Sequence, residues 1–180
     1  MAESARAGLI SVVGGESTGK SSLAAGLGTR LPGIVVSEGL RNWVDEHGRV
    51  PRPTEQSAVM DAHRAAERSA SLRADRTGQP WVISDSGPLM TAVYSIQYYE
   101  DDSLLPLALE WTAQGNWVVW CQDDFPWQPD PQRDGPHARA DSQQILAAIF
   151  ADNPGLPMLA VHGPLNVRID TVLAAVSGRD

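Results

Sequence analysis

A glycine-rich segment near the start of the chain has the residue types and the spacing to bind phosphate. Residues 14–21 read Gly-Gly-Glu-Ser-Thr-Gly-Lys-Ser and fit the pattern Gly-x-x-x-x-Gly-Lys-Ser. Glycines let successive backbone N–H groups point at an anion, and a helix that begins there adds the positive end of its dipole. Lys20 is predicted to contact the β- and γ-phosphates of a nucleoside triphosphate, and Ser21 to bind Mg²⁺. The predicted nucleotide site consists of Gly14, Gly15, Glu16, Ser17, Thr18, Gly19, Lys20, Ser21 and Ser22.

The segments on either side of residues 14–21 support this interpretation. Residues 9–13 form an apolar run suited to a buried parallel strand, and leucines recur at helical spacing after Ser21. A strand, a glycine loop and a helix in this order are the context in which the motif binds phosphate. The competing interpretation, a glycine-rich turn with an exposed lysine, leaves these neighbours without a role.

Carboxylates follow two further apolar runs, at the points where predicted strands end. Glu38 and Arg41 follow residues 34–37, and Asp85 ends residues 81–85. Ligands of open α/β sheets bind at the carboxyl ends of the strands. We therefore predict that Asp85 holds Mg²⁺ or accepts the proton of an attacking hydroxyl; the residues leave open whether Asp85 or Glu38 is the base. The alternative is that these charges belong to solvated helix starts and caps.

A proline-rich segment after a fourth apolar run lacks any helical or strand period. We predict a lid or substrate loop over about residues 122–140, because long irregular loops in compact domains are often binding loops. Arg133, with Arg139 nearby, is expected to reach the transferring phosphates as the lid closes. Trp127 offers a flat face for a heteroaromatic ring. A disordered proline-rich loop is the alternative.

Predicted strands and helices alternate along the rest of the chain. Further strands are predicted over 117–121 and 158–162, and helices over 54–76, 89–99, 104–114, 141–151 and 165–176. The pattern predicts one domain over residues 1–180, with a flexible N-terminus at 1–7. The expected fold is a P-loop NTPase of three α/β/α layers with a five-stranded parallel sheet, of the kind found in nucleoside and nucleotide kinases.

The helix predicted over 54–76 has Thr54 as its expected cap and small residues as its expected buried face. That face consists of Ala58, Val59, Ala62, Ala65, Ala66, Ser69 and Leu72. His63 lies inside the helix, and a lone histidine at such a place is usually structural, so we assign no chemistry to it.

The composition of the chain argues against some classes of binding partner. A net charge of −8 argues against a general nucleic-acid or membrane surface, and no apolar run approaches membrane-spanning length. The single cysteine, Cys121, excludes an internal disulfide and fits a reducing compartment. We expect a cytoplasmic protein whose partner is a small-molecule nucleoside. The oligomeric state is left open, a homo-oligomer included.

These motifs together resemble the ribosylnicotinamide kinase domain of NadR-type proteins, which is grouped with AAA-type NTPases. The matching pieces cover nearly the whole chain: residues 14–21, Glu38-x-x-Arg41, Gln56 with Glu67, Ile83-Ser84-Asp85 followed by Thr91, Ile96-Gln97-Tyr98, and Trp127-x-x-Asp130-x-x-Arg133. The resemblance implies transfer of a phosphoryl group from ATP, with Mg²⁺, to the 5′-hydroxyl of nicotinamide riboside. The product, nicotinamide mononucleotide, belongs to NAD biosynthesis.

The resemblance also implies roles for single residues. It implies that Lys20 and Ser21 carry phosphate and Mg²⁺, and that Asp85 is metal-linked or the base. On the acceptor side the implied residues are Glu38 and Arg41 at the ribose, Tyr98 in the substrate site, Trp127 stacked on the nicotinamide ring, Asp130 near its charge or the ribose, and Arg133 as the lid arginine.

The chain departs from the family pattern on the acceptor side. The family usually has Tyr where this chain has Gly39, an acid at Asn42, Thr at Ser86 and Gly at Pro131. Two alternatives therefore stay open: a regulatory or signalling ATP-binding NTPase, and a kinase for a different nucleoside. The chain has no guanine-reading Asn/Thr-Lys-x-Asp sequence, which favours ATP as the nucleotide.

Overall fold

A computed structural model of the protein describes residues 6–127 and 135–178. Its strands form one parallel sheet in the order β2-β3-β1-β4-β5. The strands are β1 Gly8–Val13, β2 Gly33–Val36, β3 Trp81–Asp85, β4 Trp117–Cys121 and β5 Met158–Val161. The predicted fold class, a five-stranded parallel sheet between helices, is confirmed.

Helices connect the strands and cover both faces of the sheet. They are α1 Lys20–Arg30, α2 Gly39–His47, α3 Gln56–Thr77, α4 Gly87–Tyr99, α5 Leu105–Ala113, α6 Pro136–Asp152 and α7 Leu165–Ser177, with a 3₁₀ turn at Pro53–Glu55. No helix within the described ranges is both long and apolar enough to cross a lipid bilayer.

Alternate residues of the central strands enter different layers of the core. Ile10 and Val12 of β1 pack with α1 and α7, whereas Val13 packs with α4 and α6 on the other face. This is the arrangement expected when parallel strands are buried on both sides, and it explains why their sequences read as continuous apolar runs.

The strand register brings the third strand's acid beside the phosphate loop (residues 14–21). β1 and β3 are neighbours, and Val12 is paired with Asp85. The backbone N–H of Ser86 donates to the carbonyl oxygen of Val12 at 2.9 Å, which fixes the end of β3 against the end of β1. Asp85 is therefore held by sheet hydrogen bonds at the edge where ligands of this fold class bind.

Helix α2 was not predicted, and two predictions about α3 are wrong. Helix α2 has a short apolar stripe, Leu40, Trp43 and Val44, but none of its residues is fully buried. The small-residue face proposed for α3 is largely exposed; the buried residues are Gln56, Val59, Met60, His63, Glu67, Ala70 and Ala74. Three of these are polar, and one of them, His63, has its hydrogen-bond partners in distant segments. Thr54 lies in the 3₁₀ turn and does not cap α3.

The predicted loop over 122–140 is too long. Helix α6 begins at Pro136, since Gly135 takes a φ of 116° and a proline is well tolerated in the first helical turn. Arg139 therefore lies on a helix and not in a mobile lid. Residues 128–134, and with them the predicted Asp130 and Arg133, lie outside the described residues, as do residues 1–5 of the predicted flexible N-terminus.

Candidate nucleotide and acceptor site

The phosphate loop folds back on itself between β1 and α1. Gly14 and Gly19 adopt φ angles of 149° and 81°, which favour glycine. A Cβ atom at Gly14 would lie 2.7 Å from Thr18 Oγ1, so a side chain there would collide with the loop. Thr18 Oγ1 and Lys20 Nζ both donate to the carbonyl oxygen of Gly15, at 2.7 and 2.9 Å. The loop is thus closed by side chains that belong to its own motif.

The chemistry of the loop fits a polyphosphate with Mg²⁺. Gly19 caps α1 without a side chain, so no side-chain acceptor occupies the N–H groups of the first turn. Ser21 is exposed toward a large cavity, and Asp85 is 6 % exposed. The described residues contain no cluster of three or more His, Cys, Asp and Glu side chains suited to a metal. A cation here would rely on Ser21, Asp85 and phosphate oxygens, which is how Mg²⁺ is commonly held with nucleotides.

Helix α6 packs directly on the phosphate loop, a contact that the sequence did not predict. The backbone N–H of Gly15 donates to Gln143 Oε1 at 3.1 Å, and Gln143 Nε2 donates to the carbonyl oxygen of Cys121 at 3.1 Å. A Cβ atom at Gly15 would lie 2.7 Å from the carbonyl oxygen of Arg139, so the second glycine permits close helix packing. Arg139 Nη1 donates to the carbonyl oxygen of Phe125 at 3.0 Å.

A buried arginine of α7 braces the loop from the other side. Arg168 is 2 % exposed, and its guanidinium donates to the carbonyl oxygens of Thr18, Gly163 and Gln122 at 2.8, 2.8 and 2.9 Å. It also pairs with the Asp124 carboxylate, which accepts from the Gly163 N–H as well. Desolvation alone would raise the pKa of Asp124, but the bond from Gly163 and the charge of Arg168 hold it below its usual value.

Phe125 packs between Arg168 and the phosphate loop. The Arg168 guanidinium carbon lies 4.8 Å from the centroid of the Phe125 ring, within cation–π range. A Cβ atom at Gly19 would lie 3.3 Å from that ring, so the ring sits against the start of α1. Residues after β4 therefore border the phosphate loop.

One cavity of about 640 Å³ extends from the phosphate loop across the carboxyl ends of β1 and β2. Its lining residues come from the loop, α1, α2, the 48–56 connection and α4: Glu16, Ser17, Gly19, Lys20, Ser21, Ser22, Glu38, Leu40, Arg41, Val44, Arg49, Val50, Pro51, Gln56, Tyr94, Tyr98 and Tyr99. It therefore brings Lys20 and Ser21 together with Glu38, Arg41 and Tyr98, which were predicted from distant parts of the sequence.

The acidic side chains converge around Tyr94. Burial raises the pKa of the Tyr94 phenol well above its usual value, and the negative charges of Glu38, Glu16 and Asp85 add to this effect. Asp85 itself does not line the cavity, but its charge acts on a residue that does. The Tyr94 and Tyr98 rings lie 6.3 Å apart and form an aromatic wall.

Both arginines of the cavity are already paired with carboxylates. Arg41 Nε lies 3.7 Å from Glu38 Oε2. Arg49 donates two hydrogen bonds to Glu55, at 2.7 and 2.8 Å. The bond from Arg49, with the backbone N–H of Arg52, lowers the pKa of Glu55 to about 2. The part of the cavity lined by Arg41 and Arg49 thus contains guanidinium groups whose charge is locally balanced.

Other residues that carried the family resemblance have a place outside the cavity. Trp127 is half-buried and does not line it in the described part of the chain. Gln97 ties α4 to α6: its Nε2 donates to the carbonyl oxygen of Ala138 at 3.0 Å, and Ser142 Oγ donates to its Oε1 at 2.6 Å. Glu67 is buried beneath the sheet edge and pairs with Arg64 at 3.1 Å.

A parallel sheet of order 2-3-1-4-5, with a phosphate loop after its central strand, defines a P-loop protein of the nucleoside and nucleotide kinase-like fold. The sequence profile of the AAA domain family matches residues 9–168, and the chain therefore belongs to that family. A comparison with curated protein sequences found no match.

Solved structures with the same fold include kinases and NadR. A NadR protein in complex with NR superposes with a TM-score of 0.75 at 18% identity, over 96% of this chain and 51% of that one. Thymidylate kinase from Candida albicans superposes with a TM-score of 0.67 at 14% identity, over 98% of this chain and 94% of that one. Deoxyadenosine kinase from M. mycoides, with dCMP and dCDP bound, superposes with a TM-score of 0.63 at 12% identity, over 94% of this chain and 99% of that one. The resemblance to NadR noted in the sequence is confirmed at the level of the fold, and this chain spans about half of the NadR chain.

Proposed function

We propose that the protein is an ATP- and Mg²⁺-dependent small-molecule kinase that phosphorylates the 5′-hydroxyl of nicotinamide riboside. The observation that carries this proposal is the continuous cavity, which has the phosphate loop at one end and Glu38 with three tyrosines at the other. Phosphoryl transfer needs donor and acceptor held in line in one space, because catalysis here is mostly positioning and charge stabilisation.

The charge balance of the cavity favours a nucleoside over a nucleotide acceptor. A nucleotide acceptor would bring a second phosphate, which needs unpaired cations. Arg41 and Arg49 are instead paired with Glu38 and Glu55. A neutral ribose hydroxyl needs no such cation, and Glu38 can accept hydrogen bonds from it.

The acceptor wall favours a cationic ring. Nicotinamide riboside carries a positive charge on its pyridinium ring, and aromatic faces with nearby carboxylates attract such a charge. Tyr94, Tyr98 and Tyr99 line the cavity together with Glu16 and Glu38. The similar structure of NadR in complex with NR agrees with this choice of acceptor.

In the proposed reaction the 5′-oxygen of the acceptor attacks the γ-phosphorus of ATP. The bond between that phosphorus and the bridging oxygen breaks, ADP leaves, and the hydroxyl proton passes to Asp85 or Glu38. Lys20 stabilises charge on the phosphoryl oxygens. Ser21, together with Asp85 if Glu38 is the base, would hold Mg²⁺, which would neutralise the same charge. Trp127, Asp130 and Arg133 stay predictions for the lid that closes over the acceptor.

An ADP-release assay with ATP and Mg²⁺ tests the proposal. We expect turnover with nicotinamide riboside that exceeds turnover with a panel of ribosides and deoxyribosides. Turnover with another nucleoside would keep the phosphotransferase and replace the acceptor. Slow hydrolysis unchanged by every acceptor, with a nucleotide-dependent change in oligomer size, would instead establish a regulatory NTPase.

A further inference from the structure

A buried histidine on α3 bridges the two segments that carry the predicted acids. The backbone N–H of Gly39 donates to His63 Nδ1 at 3.0 Å. His63 Nε2 lies 2.8 Å from Ser84 Oγ. Gly39 directly follows Glu38, and Ser84 directly precedes Asp85. One imidazole thus touches the neighbour of each carboxylate that the proposed reaction uses.

The hydrogen bonds define the protonation state of the ring. Because Nδ1 accepts a hydrogen bond from a backbone N–H, the proton of the neutral ring is on Nε2, which donates to Ser84 Oγ. Burial lowers the pKa of His63 to about 4, so the neutral form is present at neutral pH. The charged groups behind it are Glu67, whose Oε1 lies 3.7 Å from Nε2, and Arg64, which pairs with Glu67.

The glycine at position 39 is required by this contact. A Cβ atom there would lie 2.7 Å from His63 Nδ1 and 3.1 Å from His63 Cβ. Gly39 does not have a positive φ, so close approach of the imidazole, and not backbone freedom, is what excludes a side chain. The NadR-type family usually has Tyr where this chain has Gly39. This chain cannot hold a side chain there, because the His63 imidazole occupies the space beside the backbone.

Helix α2 has few other anchors at this end. Its N-cap residue, Glu38, makes no side-chain cap hydrogen bond, and none of its residues is fully buried. The bond from Gly39 to His63 satisfies one of the N–H groups that a helix start leaves unpaired. The imidazole therefore fixes the backbone next to Glu38, in addition to the packing of Leu40 against the core.

We propose that His63 is a positioning residue that fixes Glu38 relative to Asp85, one ring nitrogen holding each segment. The proposal rests on the proposed function, because the roles of the two carboxylates belong to it. His63 itself does not contact the cavity, so it acts through Gly39 and Ser84. A displacement of about 1 Å at reacting groups can lower a rate by about a hundredfold.

Amide substitutions separate the two halves of the bridge. In His63→Asn the side-chain oxygen can replace Nδ1 and keep the bond from Gly39, whereas in His63→Gln the terminal amide can replace Nε2 and keep the bond to Ser84. We expect His63→Asn to impair only the role of Asp85 and His63→Gln only the role of Glu38, so the two variants should differ in which of kcat and the KM of the acceptor changes. His63→Ala should lower kcat/KM for the acceptor about 10- to 100-fold and leave the KM of ATP within about twofold.

A control histidine and a control glycine show whether the effects are specific. His162 is exposed, so His162→Ala should match the wild type. Gly39→Ala should reproduce the acceptor defect of His63→Ala, whereas Gly155→Ala, which has open space around its Cβ position, should not. Equal loss in His63→Asn and His63→Gln, or kinetics of His63→Ala within about twofold of the wild type, would overturn the proposal.

Amide hydrogen exchange gives a readout that does not require turnover. Exchange at Gly39 should be faster in His63→Gln and close to wild type in His63→Asn, with the rest of the sheet unchanged. If the wild type phosphorylates no nucleoside, the proposed function fails, and this exchange pattern alone decides whether His63 holds the Glu38 segment. Unchanged protection of Gly39 in His63→Gln would refute the positioning role in either case.

Discussion

The guanidinium of Arg168 donates to the carbonyl oxygen of Thr18 at 2.8 Å, although 150 positions separate the two residues. Through its other donors Arg168 holds the loops that follow β4 and β5. The last helix of the described fold therefore supports the shape of the phosphate loop near the start of the chain.

Replacing Arg168 should weaken both the fold and nucleotide binding. Arg168→Met keeps the apolar length but removes the Arg168 donor from one buried and two partly buried carbonyl oxygens, and it removes the ion pair with Asp124. We expect a loss of about 2–4 kcal/mol in the free energy of unfolding, and a higher KM for ATP because the loop loses its brace. Denaturant unfolding and ATP titration measure the two effects.

Arg30 offers a matched control for this variant. It pairs with Asp170 at 3.7 Å with both side chains more than half exposed, so Arg30→Met should change the free energy of unfolding by less than about 1 kcal/mol. A similar effect of the two substitutions would show that the buried contacts of Arg168 contribute nothing beyond surface charge.

Lys20 is the only lysine in the chain, which allows a direct test of its role. Lys20→Ala should lower kcat by about two orders of magnitude or more, since it removes a phosphate contact made in the transition state. An amine-directed reagent should label one side chain in the wild type, and ATP with Mg²⁺ should protect it. Labelling that ATP does not affect would show that Lys20 lies away from the bound nucleotide.

Much of the sheet and of the nucleotide site could be predicted because their signals are local. The bounds of β3 and β4 agree with the predicted 81–85 and 117–121, since short apolar runs between turn residues mark buried strands. Residues 14–21 carry their own glycine spacing and lysine, and the loop closes through contacts within the motif.

The rest could not be predicted because its partners are distant in the sequence. Gln56, His63 and Glu67 are polar, yet they are buried on the face of α3 that also contains Val59 and Met60. Arg168 of α7 is a further charged residue that is buried. A polar residue is buried only where another segment supplies a carbonyl or hydroxyl, and a periodic pattern does not contain that information.

Acid should destabilise the wild type more than His63→Asn. The pKa of His63 is about 4 in the folded protein and about 6.5 when unfolded, because burial disfavours the imidazolium. The neutral imidazole therefore makes its full contribution to the free energy of unfolding above pH 6.5, and this contribution is lost as pH falls toward 4. Between about pH 7.5 and 5 the wild type should lose about 1–2 kcal/mol more than the variant in denaturant unfolding.

The titration of Glu67 has the opposite effect on the free energy of unfolding. Burial raises its pKa, against hydrogen bonds from Ser84 and Arg64, so its contribution to stability increases as pH falls. Both proteins in the comparison retain Glu67, and the difference between them isolates the histidine. Parallel pH profiles for the wild type and His63→Asn would contradict a buried neutral imidazole.

If Trp127 stacks on the ring of the acceptor, replacing it should change the KM of the acceptor and not the KM of ATP. Trp127→Ala is expected to raise the KM of the acceptor several-fold, because a stacking face worth about 1 kcal/mol or more is lost. The KM of ATP should stay within about twofold. Equal changes on both sides would identify Trp127 as structural packing of the loop after β4, which agrees with its absence from the lining of the cavity in the described residues.

Breaking the pair between Arg49 and Glu55 should change which ligands the cavity accepts. Arg49 lines the cavity, and its two bonds to Glu55 balance its charge. In Glu55→Gln the guanidinium loses a carboxylate partner and becomes available to a phosphate group. We therefore expect the 5′-phosphorylated product to inhibit the variant at several-fold lower concentration, with the KM of the nucleoside unchanged.

Salt and pH identify the cause of such inhibition. Added salt should weaken product binding to Glu55→Gln, because the new contact is electrostatic and exposed. The pKa of Glu55 is about 2 in the wild type, so the carboxylate stays ionised in any ordinary assay and product binding should not change with its titration. Asp170→Asn, which frees Arg30 instead, is the control. If product inhibition is the same in all three proteins, the pairing of Arg49 does not set the preference for a nucleoside.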